Sequence, residues 1–307
     1  MKIYNNLTEL VGNTPMLKLE RYCRFNKLNA QIIAKLECFN PLSSIKDRVA
    51  LAMIDKAEET GTLKPGAVII EPTSGNTGIG IVFAGACRDY RVILTMPDTM
   101  SKERIKILKA LGAEIVLTEG KLGMTGAINR AKELLNEIEG SFMPLQFENL
   151  ANPEIHEKTT ALEIIRDTDA NIDVFVAGVG TGGTLSGVGR TLKKRLKNVK
   201  VVAVEPKDSP VLSGGEAGPH ALQGIGAGFI PKTYDSTVAD EIITIEKEEA
   251  YQACRDVAKM EGLLIGISSG AALCAAKKLA EQDENKGKNI VVIFPDSGER
   301  YLSTDLY

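Results

Sequence analysis

Short apolar runs alternate with longer amphipathic segments along most of the chain. The short runs are rich in Val, Ile and Leu, are bounded by Gly, Pro or polar residues, and in several cases are almost wholly apolar. Such runs predict β-strands that are covered on both faces, as in parallel sheets. The predicted strands are 31–37, 67–71, 91–96, 114–118, 173–178, 200–205 and 289–296.

The segments between these strands carry apolar residues at helical spacing, clearest at 124–139 and 152–167. Alternating strands and helices predict an α/β protein with mostly parallel sheets. In such folds ligands bind in the loops at the carboxyl ends of the strands. A further segment, 207–236, is rich in Gly, Pro and Ser without clear periodicity, and is predicted to be either a surface excursion or a functional loop over a cleft.

Length and charge narrow the class of protein. The chain has 307 residues, which favours about two domains, and its 44% hydrophobic and 25% charged residues are typical of a globular protein. The net charge of −3 argues against nucleic acid or an anionic membrane as the main partner. We therefore expect no nucleic-acid partner and no membrane partner.

Cysteine and histidine usage argues against metal and disulfide chemistry. The five cysteines form no C-x-x-C pair and there are only two histidines, so we predict no metal site and no disulfide framework. The N-terminal segment has no apolar signal-peptide core, and no apolar run approaches the length of a membrane span. A reducing cytoplasmic location is the simplest expectation.

The stretch EPTSGNTGIG, residues 71–80, follows a predicted strand and opens another apolar segment. Glycine lets backbone N–H groups approach a ligand closely, and Ser, Thr and Asn beside a helix N-terminus offer donors to an anion. The TSGNTG part contains no carboxylate, histidine or cysteine, so it cannot supply an acid, a base or a metal ligand. It is predicted to bind an anion, either a carboxylate or a phosphate.

The stretch GVGTGG, residues 178–183, matches G-x-G-x-x-G after a predicted strand. Glu205 lies roughly where a ribose-binding acid would follow, so this pattern alone suggests a nicotinamide-dependent dehydrogenase. The same glycine-rich turn can, however, hold any phosphate, or simply allow tight packing.

Lys46 ends an S-x-x-K pattern at 43–46, but the chain has no S-D-N or K-T-G partner motif for a penicillin-binding enzyme. A helix is predicted to start near Ser44, which would place Lys46 in its first turn. The positive end of a helix dipole favours a neutral, nucleophilic amine. The alternative is an ordinary lysine on a solvated helix face.

Taken together, ten stretches in order resemble the O-acetylserine sulfhydrylase (cysteine synthase) family of the β-family, fold type II, pyridoxal-phosphate enzymes. They are LVGNTPMLKL (10–19), NPLSSIKDR (40–48), EPTSGNTGI (71–79), KALGAEIVLT (109–118), QFENLANPEIHEKTT (146–160), GVGTGGTLSGV (178–188), VEPKDSPVLSGG (204–215), QGIGAGFIP (223–231), GISSGAA (266–272) and SGERYLST (297–304). Because they cover nearly the whole chain, the resemblance displaces the dehydrogenase hypothesis.

The resemblance implies an α/β fold of two doubly wound domains with mostly parallel, twisted sheets. Residues 40–150 would form an N-terminal domain with a mobile substrate-loop subdomain. Residues 1–39 and 151–307 would form a C-terminal domain that carries the phosphate cradle. The implied reaction is a pyridoxal 5'-phosphate-dependent β-replacement that makes L-cysteine from O-acetyl-L-serine and sulfide through an aminoacrylate intermediate.

The resemblance also assigns roles to single residues. Lys46 corresponds to the Schiff-base lysine and catalytic base, Asn76 to the partner of the cofactor's ring hydroxyl, and Ser268 to the partner of its pyridine nitrogen. The phosphate cradle corresponds to Gly180, Thr181, Gly182, Gly183 and Thr184. The substrate carboxylate would be bound by Thr73, Ser74, Asn76, Thr77 and Gln146.

Related activities and partners are implied as well. Relatives with the same apparatus use homocysteine as nucleophile, as cystathionine β-synthases do, or consume cysteine and release sulfide while forming serine or lanthionine. A homodimer is implied, and the carboxylate loop of such enzymes can also accept the C-terminal peptide of serine acetyltransferase. The segment GIGAGFIP, 224–231, resembles the loop near the β-substituent, which is expected to influence the nucleophile that is accepted.

Overall fold

In the computed structural model, which describes residues 3–73 and 75–307, the chain forms two compact units. Unit 1 contains the described residues up to Val11 together with Asn40–Asn152. Unit 2 contains Gly12–Phe39 and Pro153–Tyr307. The predicted domain boundaries after residues 39 and 150, and the mobility of a subdomain, stay predictions.

The regular elements are numbered here in chain order. The strands are β1 (Met16–Lys18), β2 (Gln31–Leu36), β3 (Val68–Pro72), β4 (Arg91–Pro97), β5 (Glu114–Thr118), β6 (Val174–Gly178), β7 (Lys200–Pro206), β8 (Glu241–Ile245) and β9 (Asn289–Phe294). The α-helices are α1 (Glu20–Phe25), α2 (Lys46–Glu59), α3 (Asn76–Ala86), α4 (Lys102–Ala110), α5 (Gly123–Glu137), α6 (Ala151–Ile155), α7 (Ala161–Asp167), α8 (Gly183–Arg195), α9 (Lys247–Glu261) and α10 (Ile267–Ala280).

Unit 1 is built on a three-stranded parallel sheet in the order β3-β4-β5. Helix α5 packs on this sheet through a cluster of buried apolar side chains, Ile70, Ile93, Ala131, Leu134 and Met143. Helix α3 is buried almost throughout and packs against α2. The loop after β3 and the first turns of α2 and α3 are therefore supported by a rigid core.

Unit 2 is built on a six-stranded sheet in the order β1-β2-β9-β6-β7-β8. All neighbouring strands are parallel except the β1–β2 pair. Helix α10 is the most deeply buried helix partner of this sheet, with all its residues from Ile267 to Ala276 covered. The prediction of an α/β fold with mostly parallel sheets is confirmed.

All seven predicted strands are present; 114–118 has the predicted ends, and no end of the others shifts by more than two residues. Strands β1 and β8 were not predicted. They are the two edges of the unit 2 sheet, and most of their side chains are only half-buried. Edge strands lack the continuous apolar run that marks a strand covered on both faces, so local pattern identifies them poorly.

The predicted helix 152–167 is helical throughout but not uniform. Helices α6 and α7 flank a π-helical segment, His156–Thr160, in which the Thr159 hydroxyl donates to the carbonyl of Ile155 at 2.6 Å. Such segments are frequent at functional sites. His156, the first residue of this segment, is fully buried in unit 2.

Lys35, on β2, is a fully buried charge within unit 2. Its ammonium lies 2.9 Å from the Glu163 carboxylate and 3.6 Å from that of Asp167, and it donates to the carbonyl of Thr14 at 2.7 Å. Buried charges require such partners, and this group ties β2 to α7. In the described parts of the chain, no helix is both long and apolar enough to cross a membrane.

Candidate active site

Within the described residues, three α-helices have a glycine N-cap, and each carries predicted site residues in its first turn. They are α3 after Gly75, α8 after Gly182 and α10 after Gly266. Glycine has no side chain with which to satisfy the first N–H groups of a helix, so these termini are suited to an anionic or polar ligand.

The polar loop of unit 1, Thr73–Thr77, joins β3 to α3. Thr73 is buried; its N–H donates to the carbonyl of Thr95 at 3.1 Å, and its hydroxyl accepts the N–H of Gly75 at 3.4 Å. Asn76 is the first residue of α3 and Thr77 the second. Ser74, also predicted to bind substrate, lies outside the described residues.

Lys46 is the first residue of α2, in the first helical turn as predicted, and its N–H donates to the buried Ser44 hydroxyl at 3.2 Å. Gly80 brings this turn close to α3, because a Cβ at Gly80 would lie 2.8 Å from the carbonyl oxygen of Lys46. Asn76 lies about one helical turn before Gly80. Unit 1 thus brings Lys46 and the polar loop together.

Gln146 is held against the polar loop although it lies 69 residues from Thr77 in the chain. The buried Thr77 hydroxyl donates to Gln146 Oε1 at 2.6 Å, so the two Nε2 donors of the amide point away from Thr77. The Asn152 amide donates to the carbonyl of Gln146 at 2.9 Å. The backbone and the side chain of Gln146 are therefore both oriented by hydrogen bonds within unit 1.

Glu71 lies beneath the same loop and was not predicted as a site residue. Its side chain is buried, and its carboxylate accepts the N–H of Leu145 at 3.1 Å and, more weakly, that of Gln146 at 3.5 Å. Burial raises the pKa of Glu71 to about 7, against the opposing effect of the two N–H groups. The sequence signal that could have identified Glu71 is a charged residue near the end of an otherwise apolar strand.

The glycine cradle of unit 2, Gly180–Thr184, joins β6 to α8. A Cβ at Gly180 would lie 2.4 Å from the carbonyl oxygen of Gly224. Gly182 has φ +83°, and a Cβ there would lie 2.6 Å from Cβ of Tyr234. Both positions require glycine, because Gly224 and Tyr234 lie too close to leave room for a Cβ atom. The cradle is thus a rigid turn that presents main-chain groups.

The threonines of the cradle are fixed from both sides. The Thr181 hydroxyl accepts the N–H of Gly183 at 3.4 Å, and the Thr181 carbonyl accepts the hydroxyl of Thr233 at 2.5 Å. The hydroxyl of Thr184 lies 3.3 Å from Nε2 of His156, whose Nδ1 is 2.9 Å from the Thr160 hydroxyl. A lone histidine in a helical pattern gives no sequence signal for this contact.

Ser268 is buried in the first turn of α10. Gly224, with φ +95°, lies beside it, since a Cβ at Gly224 would be 3.4 Å from Ser268 Oγ. Gly224 also contacts Gly180, so one stretch of backbone lies next to both the cradle and Ser268. Part of the aperiodic segment 207–236 therefore lines the site in unit 2, which favours the functional-loop alternative for these residues.

Glu205 does not fit a ribose-binding role. Its carboxylate accepts the N–H of Leu212 at 2.7 Å and both the N–H and the hydroxyl of Ser213, at 3.0 and 2.5 Å. It is buried and anchors the turn that follows β7. The dinucleotide interpretation of GVGTGG has no ribose ligand at this position.

The residues present fit pyridoxal phosphate. The glycine cradle offers a helix N-terminus, main-chain N–H groups and threonine hydroxyls to a phosphate, and contains no carboxylate. Ser268 offers a neutral hydroxyl, and Lys46 an amine at a helix N-terminus. Across the described residues, no cluster of three or more His, Cys, Asp and Glu side chains could hold a metal ion.

Comparison with known proteins agrees with this fit. Residues 7–296 match the model of the family described as pyridoxal-phosphate dependent enzyme. Cysteine synthases of Staphylococcus aureus strains Mu50 and N315 are each 55% identical over all 307 residues and 98% of their own length.

Solved structures are similar over nearly the whole chain. A cysteine synthase of Entamoeba histolytica has a TM-score of 0.97 and 49% identity, covering all of this chain and 91% of that one. A hydrogen sulfide-producing enzyme of Fusobacterium nucleatum has a TM-score of 0.93 and 43% identity, covering 98% and 99%. The chain belongs to the family of pyridoxal-phosphate dependent enzymes.

Proposed function

We propose that the protein makes L-cysteine from O-acetyl-L-serine and sulfide and releases acetate, as a pyridoxal-phosphate-dependent cysteine synthase. The observation that carries this proposal is the 55% identity with cysteine synthases over the full 307 residues. The polar loop, its oriented Gln146 and the glycine cradle support it, because an amino-acid carboxylate and a phosphate are the anions such termini bind.

Four parts of the chain would hold the cofactor in this proposal. Lys46 would hold it covalently through Nζ, the glycine cradle would bind its phosphate, Asn76 its ring hydroxyl and Ser268 its pyridine nitrogen. When bound, pyridoxal phosphate supplies an electron sink for charge that develops at the substrate α-carbon. A neutral serine, unlike an aspartate, does not keep the pyridine nitrogen protonated, which favours loss of a β-substituent over transamination.

The substrate is held by its carboxylate, through Thr73, Ser74, Asn76 and the Nε2 donors of Gln146, with Thr77 acting through Gln146. Once the substrate amine has replaced Nζ of Lys46 on the cofactor, the freed Nζ would take the α-proton. The C–O bond at the β-carbon breaks to release acetate, sulfide forms the C–S bond there, and Lys46 returns the proton. Closure of the polar loop on the bound carboxylate would exclude water and protect the reacting centre from hydrolysis.

Replacing Thr77 by valine is expected to raise the KM for O-acetylserine about tenfold while kcat changes little, because a buried acceptor on Gln146 loses its donor and the amide is free to rotate. Steady-state kinetics measure the two constants. Thr95→Val is the matched control: its hydroxyl is also buried in unit 1 and donates to the carbonyl of Ala127 at 2.7 Å. An equal rise of KM in both variants would contradict the role of Thr77.

The direct test of the proposed function uses the purified holoenzyme with O-acetylserine and sulfide, and measures cysteine and acetate separately. Formation of both in equal amounts supports the proposal. Release of sulfide from cysteine, or product formation only with homocysteine, at a rate far above cysteine synthesis would assign the protein to a related β-replacement enzyme instead.

We further propose that the protein is a cytoplasmic homodimer. Four large apolar side chains near the N-terminus, Ile3, Tyr4, Leu7 and Leu10, are between 41% and 74% exposed, and such a concentration is typical of a contact surface. The five free thiols without a C-x-x-C pair suit a reducing compartment. Analytical ultracentrifugation of the wild-type protein tests the dimer; a monomer at micromolar concentration would contradict it.

We also propose that the polar loop binds the C-terminal carboxylate of a serine acetyltransferase. Because the loop recognises a carboxylate at a helix N-terminus, a terminal carboxylate of a peptide presents the same chemistry as the amino-acid substrate. Titration with a peptide that ends in isoleucine, with its C-terminal amide as control, tests this. Equal binding of the two peptides, or no binding of the acid, would overturn it.

A further inference from the structure

Glu71 is a buried titratable group of unit 1 that the proposed mechanism does not use. It is 1% exposed and is the penultimate residue of β3, two residues before the polar loop. Its carboxylate accepts the main-chain N–H groups of Leu145 and Gln146. Glu71 is part of the strand that leads into the polar loop, and its side chain binds the turn that carries Gln146. It therefore links the loop and the turn directly.

The turn that Glu71 holds needs support. Leu145 has φ +57°, in the left-handed region that branched and bulky residues rarely occupy. Its side chain is 43% exposed, so packing of the leucine provides little compensation. The hydrogen bond from its N–H to Glu71, at 3.1 Å, is therefore a main contact that keeps this backbone conformation.

The direction of the Gln146 side chain depends on this backbone. Its Oε1 is bonded to Thr77, its carbonyl to Asn152 and its N–H to Glu71. Thr77, Asn152 and Glu71, from three different elements, thus fix Gln146. Of these three side chains, Glu71 is the one whose charge changes with pH. Loss of that charge weakens the contacts to the turn without removing any atom that touches the substrate.

We propose that Glu71 is a positioning residue: its ionised carboxylate holds the Leu145–Gln146 turn so that the Gln146 amide is aligned for the substrate carboxylate, and its protonation weakens amino-acid binding. This inference rests on the proposed function, in which Gln146 binds the carboxylate of O-acetylserine. In this proposal Glu71 contacts neither substrate nor cofactor. Its protonation state makes the affinity for the amino-acid substrate depend on pH.

The sign of the pH dependence follows from the environment of Glu71. Burial raises its pKa to about 7, the N–H groups of Leu145 and Gln146 lower it, and among the described residues no charged side chain contributes to the shift. Above this pH the carboxylate accepts both N–H groups. Below it the protonated carboxyl is a weaker acceptor, so the KM for O-acetylserine should rise as pH falls, with little change in kcat.

The test compares the holoenzyme with its Glu71→Gln variant over a pH range that spans 7. The variant is expected to show a KM about tenfold above wild type at high pH, without the low-pH rise. Glu58→Gln is the matched control, since Glu58 lies in unit 1 but accepts hydrogen bonds from Arg88 and Tyr90. A wild-type-like KM in Glu71→Gln at high pH, or the same rise in Glu58→Gln, would overturn the proposal.

A double-mutant cycle separates positioning from general damage. In a Gln146→Ala background the Glu71→Gln change is expected to leave KM unchanged, because the residue through which it acts is gone. Full additivity of the two changes would show that Glu71 affects binding by another route and would overturn its assignment to Gln146.

A measurement on the wild-type protein distinguishes failure of this inference from failure of the proposed function. Amide hydrogen exchange at Leu145 and Gln146, corrected for the intrinsic pH dependence, needs neither turnover nor a variant that folds. Loss of protection as pH falls through 7 supports the anchor even if no cysteine is made. Constant protection across that range would overturn it even if the enzyme is an active cysteine synthase.

Discussion

Replacement of Lys46 by alanine is expected to lower cysteine synthesis by about 10³-fold or more, the upper part of the range for removal of a general base. Two roles are lost at once in the proposed mechanism, covalent attachment of the cofactor and transfer of the α-proton. The rate with O-acetylserine and sulfide under saturating conditions measures the loss. Borohydride reduction followed by mass spectrometry measures the attachment, which should map to Lys46 in the wild type and be absent in the variant.

Lys56→Ala is the matched control for this change. Lys56 lies in the same helix, α2, but its side chain is 53% exposed and forms an ion pair with the exposed Glu59, at 3.6 Å. An exposed pair of this kind contributes little, so activity should stay within about twofold of wild type. A Lys46→Ala enzyme that keeps a tenth or more of wild-type turnover, or a cofactor trapped on a different lysine, would contradict the role of Lys46.

The Glu163→Gln change is expected to lower the free energy of unfolding of unit 2 by about 3–5 kcal/mol, the range for removing one partner of a buried ion pair. Lys35 is fully buried, and Glu163 is its nearest carboxylate, at 2.9 Å. Glu163 also accepts the N–H of Asn13 at 3.0 Å with its other oxygen, and the single acceptor oxygen of a glutamine cannot serve both Asn13 and Lys35. Asp167, at 3.6 Å, offsets only part of the loss.

Urea unfolding followed by circular dichroism, at fixed pH and with saturating cofactor, measures this difference. Glu154→Gln makes the same chemical change one helix earlier, in an exposed pair with Lys158 at 3.2 Å, and should cost less than about 0.5 kcal/mol. If both variants unfold at the same urea concentration as wild type, the Lys35–Glu163 pair does not stabilise unit 2.

The chemistry of each loop could be predicted from the sequence because it is local. The strand before a loop, the glycines within it and the helix after it are contiguous, as in GVGTGG, where Gly182 does have the left-handed conformation that only glycine adopts easily. The first-turn position of Lys46 followed in the same way. The two edge strands, β1 and β8, were missed because an edge position depends on the neighbouring strands and leaves no continuous apolar run.

Contacts between distant residues could not be predicted in this way. Thr77 and Gln146 are separated by 69 residues, Leu145 and Glu71 by 74, and Thr184 and His156 by 28. No local period relates them. The first two pairs meet because Phe142 pairs with Ile69 of β3, and the third because α8 packs against the π-helical segment His156–Thr160. Similarly, Glu205, well placed in the sequence for a ribose, is instead bonded to the turn at Leu212 and Ser213.

The sequence by itself therefore determined the α/β class, the loops that carry the chemistry and the residue types offered to cofactor and substrate, since these depend on short-range pattern and on side-chain chemistry. Only the tertiary structure decided that Gly224 lies beside both Gly180 and Ser268. It also decided that the Thr77 hydroxyl binds Gln146 and that the Glu71 carboxylate binds the N–H of Leu145. These relations depend on close packing between elements far apart in the chain, where a difference of one ångström separates a hydrogen bond from no contact.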